Sequence, residues 1–305
     1  MTGLPDPWPG LGAGVTLVDM VRGPRGRAGA TAAVVAAIVV LAGCGKDADP
    51  SDLGGANPDG SVTISDPRIH ESSGLAASDR HPGYFYTLND MGNSPEVFLL
   101  RADGSTAAVL TLRGATNNDW EDLAVADGRV YVGDIGGGKT DRSTIDVLVF
   151  DEPEELVDSS PSWSPVELTY PDGAHNAEAL LVHPGTDRIY IVTKDPLDGG
   201  IYAAPRDPGS GDNELERVAD APPVVTSGAF APTGDMFALR NEKKAFLFVS
   251  LGLHPRVIDL PESPQGESLT WVGDTLLVGS EGIGSTIYTV PLSKDLLEDL
   301  REAAQ

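Results

Sequence analysis

The chain has 305 residues, 40% hydrophobic and 22% charged, with 36 Gly and 24 Pro, too apolar and too varied for a disordered or collagen-like protein. Forty-six acidic against 21 basic residues give a formal net charge of -25, which repels nucleic-acid phosphates and anionic lipid headgroups and argues against nucleic-acid binding. A single cysteine rules out a disulfide framework and a Cys-rich zinc site, so that thiol needs its own explanation.

Residues 1–19 fit neither a basic leader nor a domain: Asp6 and Asp19 are acidic, and Pro5, Pro7 and Pro9 break regular structure. Met20 is therefore an alternative start. Arg22, Arg25 and Arg27 then precede 14 largely apolar residues, Ala28 to Leu41, which run into Leu41-Ala42-Gly43-Cys44. This arrangement resembles a bacterial lipoprotein signal with its lipobox. The resemblance implies that residues 1–43 are a signal peptide, that Cys44 becomes the acylated N-terminus, palmitate being one such chain, and that the protein sits on the extracytoplasmic side of the cell membrane. A membrane-spanning anchor is the competing reading, but it normally needs about 20 apolar residues. From Gly45 to Ser61 the composition is that of a flexible tether, so 44–61 is read as lipidated Cys plus tether and 62–305 as the folded domain.

Five segments of that domain repeat one pattern, a short apolar strand, a turn and a second apolar strand ending in polar residues. Their key apolar residues are Leu75, Leu123, Leu180, Phe230 and Leu269, at steps of 48, 57, 50 and 39 residues, a period that suits propeller blades. Each repeat has room for two further strands, except that the fifth stops at Ser285 to Val290 and lacks its fourth. Ser61 to Ser65 can supply it. The fold class is thus all-β, a five-bladed β-propeller closed by its N-terminal strand, which removes two exposed edges. Six blades are the alternative if the 57-residue step hides two. Beyond the last strand, residues 293–302 read as a short C-terminal amphipathic helix, N-capped by Ser293 and packed on the propeller.

The run Gly133-Asp134-Ile135-Gly136-Gly137-Gly138-Lys139-Thr140 matches P-loop spacing, yet Thr144 to Phe150 after it is β-rich rather than helical, so the glycines read as a loop between strands. His81, His183 and His254 each stand beside Pro in turns. His175, in a loop beside carboxylates, is a candidate acid or base.

In a blade, the start of the first strand and the end of the second share one face. Glu121, Glu178 and Glu267 occupy strand starts there; Asn89, Asp90, Asp134, Lys194, Arg240 and Glu281 occupy strand ends. The loops add Asn118, Asp119 and Trp120. Convergence on the mouth of the channel makes Glu121, Glu178 and Glu267 candidate ligands for a hard cation, with Ca2+ the cofactor they suit. It also makes Glu121, Glu178, Asp134 and His175 candidate catalytic groups, and Asn89, Asp90, Asn118, Asp119, Trp120, Lys194, Arg240 and Glu281 candidate ligand-binding residues. Turn capping explains such residues singly, although Glu is a poor local cap and recurs in three blades.

The segments Leu88-Asn89-Asp90-Met91-Gly92-Asn93-Ser94, Asp119-Trp120-Glu121-Asp122-Leu123-Ala124, Val132-Gly133-Asp134-Ile135-Gly136 and Asn176-Ala177-Glu178-Ala179-Leu180 resemble those of bacterial exported propellers, the SdiA-regulated type and the esterase-like activity of phytase type. The resemblance spans roughly residues 62–292 and implies an exported, Ca2+-dependent propeller, without catalytic residues to carry over. The expected function is a membrane-anchored, monomeric lipoprotein that binds a small-molecule, cationic or protein ligand at its acidic face. A metal-dependent hydrolase of phosphoester or glycoside type is the alternative, and a structural envelope protein a third reading.

Overall fold

The computed structural model describes residues 57, 60–137 and 142–303; Cys44, the signal-like segment and most of the tether lie outside the described residues. A short strand β1 (Val62–Thr63) comes first, followed by five sheets in chain order. Blade 1 is β2 (Ser72–Ala77), β3 (Tyr84–Asn89), β4 (Glu96–Arg101) and β5 (Thr106–Thr111). Blade 2 is β6 (Trp120–Ala126), β7 (Arg129–Asp134), β8 (Thr144–Asp151) and β9 (Ser164–Thr169). Blade 3 has β10 (Ala177–Val182), β11 (Ile189–Thr193) and β12 (Gly200–Ala203); β13 (Asn213–Glu214) then departs to another blade before β14 (Glu216–Asp220) completes this one. Blade 4 is β15 (Ser227–Phe230), β16 (Phe237–Arg240), β17 (Lys244–Phe248) and β18 (Arg256–Asp259). Blade 5 is β19 (Gly266–Val272), β20 (Thr275–Ser280) and β21 (Thr286–Pro291), and helix α1 (Lys294–Ala303) follows.

The inner strands β2, β6, β10, β15 and β19 contact one another in a closed ring. Five apolar cores fill the five gaps between neighbouring blades. Because both faces of each blade are covered, strands such as β10 and β20 are buried along their whole length and read as continuous apolar runs rather than alternating ones. The ring closes as the sequence predicts: β1 pairs antiparallel with β21, Val62 opposite Ile287, and Ile64 N–H adds a bond to Ser285 O at 2.9 Å.

The five sheets settle the blade count. The long second step is a strap rather than a sixth blade: residues 152–163 run back over blade 1, where Ser159 bridges Leu110 in parallel and exchanges backbone bonds with Val109 and Thr111. In the same way β13 leaves blade 3 to pair in parallel with β9 of blade 2. Ser293 N-caps α1, its Oγ accepting from Leu296 N–H at 3.2 Å, and Leu297 and Leu300 bury the helix against blades 4 and 5. Gly133 and Asp134 end a strand and Thr144 begins the next, so among the described residues a strand stands where a P-loop would need a helix.

Candidate functional site

We call the face where the first strands begin the upper face. Four of the five inner strands carry a β-bulge there, between Ser72 and Gly74, Trp120 and Asp122, Ala177 and Ala179, and Gly266 and Leu269. A bulge sets two residues against one and re-aims the extra side chain. Ser73, Glu121 and Glu178 are the extra residues of the first three and Glu267 lies in the fourth, and the bulges account for the three glutamates standing around the channel mouth, where Glu121 and Glu267 both feel the charge of Glu178. Blade 4 lacks the bulge; Ser227 pairs directly with Arg240.

Beneath them Asp122 closes the channel. Fully buried, it accepts from Leu123 N–H at 2.9 Å, Leu180 N–H at 3.1 Å, Ser227 Oγ at 3.2 Å and Gly228 N–H at 3.3 Å, and Ser227 Oγ in turn accepts from Leu269 N–H. One carboxylate thus joins the inner strands of blades 2, 3 and 4, and through Ser227 blade 5. Burial pushes its pKa well above the usual carboxylate range, and the four donors oppose that. The motif Glu121-Asp122-Leu123 was visible in the sequence, but this role was not, because it depends on strands far apart in the chain.

On one side of the mouth Asp90, Asp119 and Glu121 bring oxygens within 4.8 Å of one another. Asn117 assembles this trio: its amide donates to Asn89 O and Asp90 O at 2.9 and 2.7 Å, while its Oδ1 accepts from Trp120 N–H at 3.0 Å. Asp134 holds the same loop, accepting from Asp119 N–H at 3.1 Å and Asn118 Nδ2 at 2.6 Å and pairing with Arg142 at 2.8 Å. Gly136 leaves the space the carboxylates occupy, since a Cβ there would lie 2.3 Å from Glu121 Oε1 and 2.4 Å from Asp119 Oδ2. Burial, then the charges of Glu178, Asp90 and Asp119, raise Glu121 well above its ordinary pKa; burial also raises Asp90.

On the other side Lys194 Nζ lies 2.5 Å from Glu178 Oε2. Burial alone would lower its pKa, but Glu178, Glu267 and Glu121 outweigh that, so Lys194 stays charged. Glu267 is pushed up to about 8 by burial, against the pull of Lys194, so it is largely protonated at neutral pH. Glu281 accepts from Ser73 Oγ at 2.6 Å and is raised by burial. The upper mouth is therefore a half-dry ring of carboxylates around one ammonium.

Several expected site residues have other places. Trp120 is fully buried in the core between blades 1 and 2, because a residue next to a bulge still packs into the gap between blades. Arg240 is buried too, its guanidinium spent on the carbonyls of Ser268, Gly279, Asn241 and Glu242, and burial lowers its pKa to about 10. Asn89 is a loop anchor, accepting from His70 and Glu71 N–H and donating to Arg68 O. Asp134 pairs with Arg142 and holds the 117–119 loop. His175 turns to blade 3, with Asp172 at 2.9 Å, Tyr202 Oη at 3.2 Å and the Tyr170 ring at 4.8 Å between centroids. Finally, among the described residues Asp90, Asp119 and Glu121 bring their oxygens within 4.8 Å of one another, while Glu178 pairs with Lys194.

No family model matches the sequence, so neither propeller family that it resembles is shown to be its own; no curated protein matches either. Among solved structures the chain is similar to a gluconolactonase from Xanthomonas campestris, at 12% identity over 76% of this chain and 89% of that one, with a TM-score of 0.45. It is also similar to a chain of a nidogen/laminin complex, at 12% identity over 75% and 82% of the two chains, with a TM-score of 0.46.

Proposed function

We propose that this protein is a lipid-anchored, extracytoplasmic propeller that binds a divalent cation of the Ca2+ type at its upper mouth, with Asp90, Asp119 and Glu121 as ligands. One observation carries the reading: three carboxylates lie within 4.8 Å while the neighbouring ammonium is already taken by a fourth. Such crowding is unfavourable unless protons or a cation neutralise it, and hard oxygen donors suit Ca2+. Glycine at 136 favours the same reading, because any side chain there would collide with the carboxylates of Glu121 and Asp119.

Titration with CaCl2, MgCl2 and ZnCl2 against an EDTA control tests it. A cation that binds only the native state stabilises it by about 2.7 kcal/mol at a hundred times its Kd. Asp119→Asn should weaken the affinity at least ten-fold and His175→Ala should leave it unchanged. A wild-type melting temperature that no cation moves would reject the proposal.

A second reading, metal-dependent hydrolysis of a phosphoester or glycoside, is favoured by Glu267. A carboxyl kept protonated near neutral pH beside a charged lysine is equipped to donate a proton to a leaving group. Glu267→Gln should then abolish turnover of nitrophenyl phosphate or glycoside substrates while changing Ca2+ affinity less than two-fold. Absence of any turnover in the wild type removes this reading.

A further inference from the structure

The channel has a second end, below Asp122, where aliphatic and aromatic side chains take the place of the ring of carboxylates. There the inner strands present Leu75, Ala77, Ala124, Ala229, Phe230 and Trp271 around a cleft of about 110 Å³. It adjoins a groove of about 420 Å³ that reaches Phe85, Met236 and Arg301 of α1, the two sharing Ala77, Asp79, Ala231, Pro232 and Trp271. Asp79 stands exposed at the rim, and deeper in the wall Trp271 Nε1 donates to Ala229 O at 3.1 Å and Ala77 N–H donates to Thr270 Oγ1 at 3.2 Å. The space exists because Ala77, Ala124 and Ala229, all half-buried, stand where larger side chains would fill it.

The path of the chain indicates which way this end faces. β1 runs from the lower face upward beside β21, and Gly60 O accepts from Thr289 Oγ1 at 3.3 Å, so the polypeptide enters from below. Fifteen residues separate Cys44 from Gly60. A stretch of that length reaches at most about 50 Å, so Cys44 lies within that distance of Gly60 and of the side on which the chain enters. The carboxylate-rich upper mouth is turned away from anionic headgroups, which its charge repels.

We infer that the lower cleft and its groove receive the hydrocarbon chain of a membrane lipid, drawn from the bilayer in which the anchor sits. This rests on the lipid anchor proposed above, and the test separates the two.

The Cys44→Ser chain is titrated with 1-decanol and followed by tryptophan emission, with Trp271→Phe as the control that assigns the signal. Acylated full-length protein is then mixed with phosphatidylcholine vesicles whose acyl chains carry bromine, a short-range quencher of tryptophan. Decanol binding is expected to shift Trp271 emission, and Ala124→Leu, which fills the cleft from an inner strand, should weaken it at least ten-fold at an unchanged melting temperature. If that variant fails to fold, Ala229→Leu replaces it. In vesicles, Trp271 should be quenched in the wild type and not in the filled variant. Failure of decanol to bind, or binding indifferent to the filled cleft, overturns the inference. Decanol binding without vesicle quenching of the acylated protein overturns the bilayer as the source. An unmodified Cys44 by mass spectrometry overturns the anchor, while the decanol titration still decides the cleft.

Discussion

Glu267 makes the stability of this protein depend on pH in a direction opposite to that of ordinary salt-bridged carboxylates. Its pKa rises from 4.5 to about 8 on folding, through burial. The unfolded chain therefore gives up this proton first, so the stabilising contribution is complete below about pH 4.5 and is lost as pH rises to about 8, at roughly 1.4 kcal/mol per pKa unit. Glu267→Gln should raise the melting temperature at pH 8, have little effect at pH 4.5, and flatten the profile between; an equal shift at both pH values would contradict this. Asp122 is raised by burial as well, but unlike Glu267 it is a carboxylate surrounded by donors. Asp122→Asn sets an NH2 group against N–H and O–H donors, and a cost of about 2–4 kcal/mol is expected from one or two unsatisfied buried groups. Urea unfolding measures it, and a change below 1 kcal/mol would show that Asp122 does not hold the blades together.

At the scale of elements, closure rests on a strand of two residues. Val62 and Ile64 are nevertheless buried between blades 5 and 1, so deleting residues 61–66 should cost about 3–6 kcal/mol, at roughly 1.5–3 kcal/mol per large buried side chain. Deleting 45–56 should change little. Equal melting temperatures for the two truncations would refute the role of β1. The blades were legible because a repeat of apolar strand pairs leaves its period in the sequence, and the capping Ser293 was legible because an N-cap is local. The bulges were not. Glu121 reads as an ordinary strand residue until the register against β7 is known, and a register is a property of two segments. For the same reason Glu121, Glu178 and Glu267 could be placed on one face but not given partners: the capture of Glu178 by Lys194 and the pairing of Asp119 with Asp90 are settled by loops 117–119 and 176–178, whose shape comes from hydrogen bonds across blades. Trp120 and Arg240 misled for a related reason, since polar or aromatic character at a strand end does not reveal whether the side chain faces the mouth or the gap between blades.

For the whole molecule, the anchoring proposal predicts that Cys44→Ser moves the protein from the membrane fraction to the soluble extracytoplasmic fraction, or leaves the precursor uncleaved. A wild-type chain with residues 1–43 retained and a free thiol would refute it. Charge acts at this scale too: at a net -25 the molecules repel one another strongly at pH 7, and that repulsion vanishes near the isoelectric point of about 4.3. The pairing of β1 with β21 has a mechanical consequence. β1 enters from the lower face and lies along blade 5, so tension on the chain at Gly60 pulls along the strand axis, loading the hydrogen bonds of Val62, Thr63 and Ile64 together in shear instead of peeling them one after another. A force drawn sideways from the same residue would unzip them singly and open the ring at a lower load.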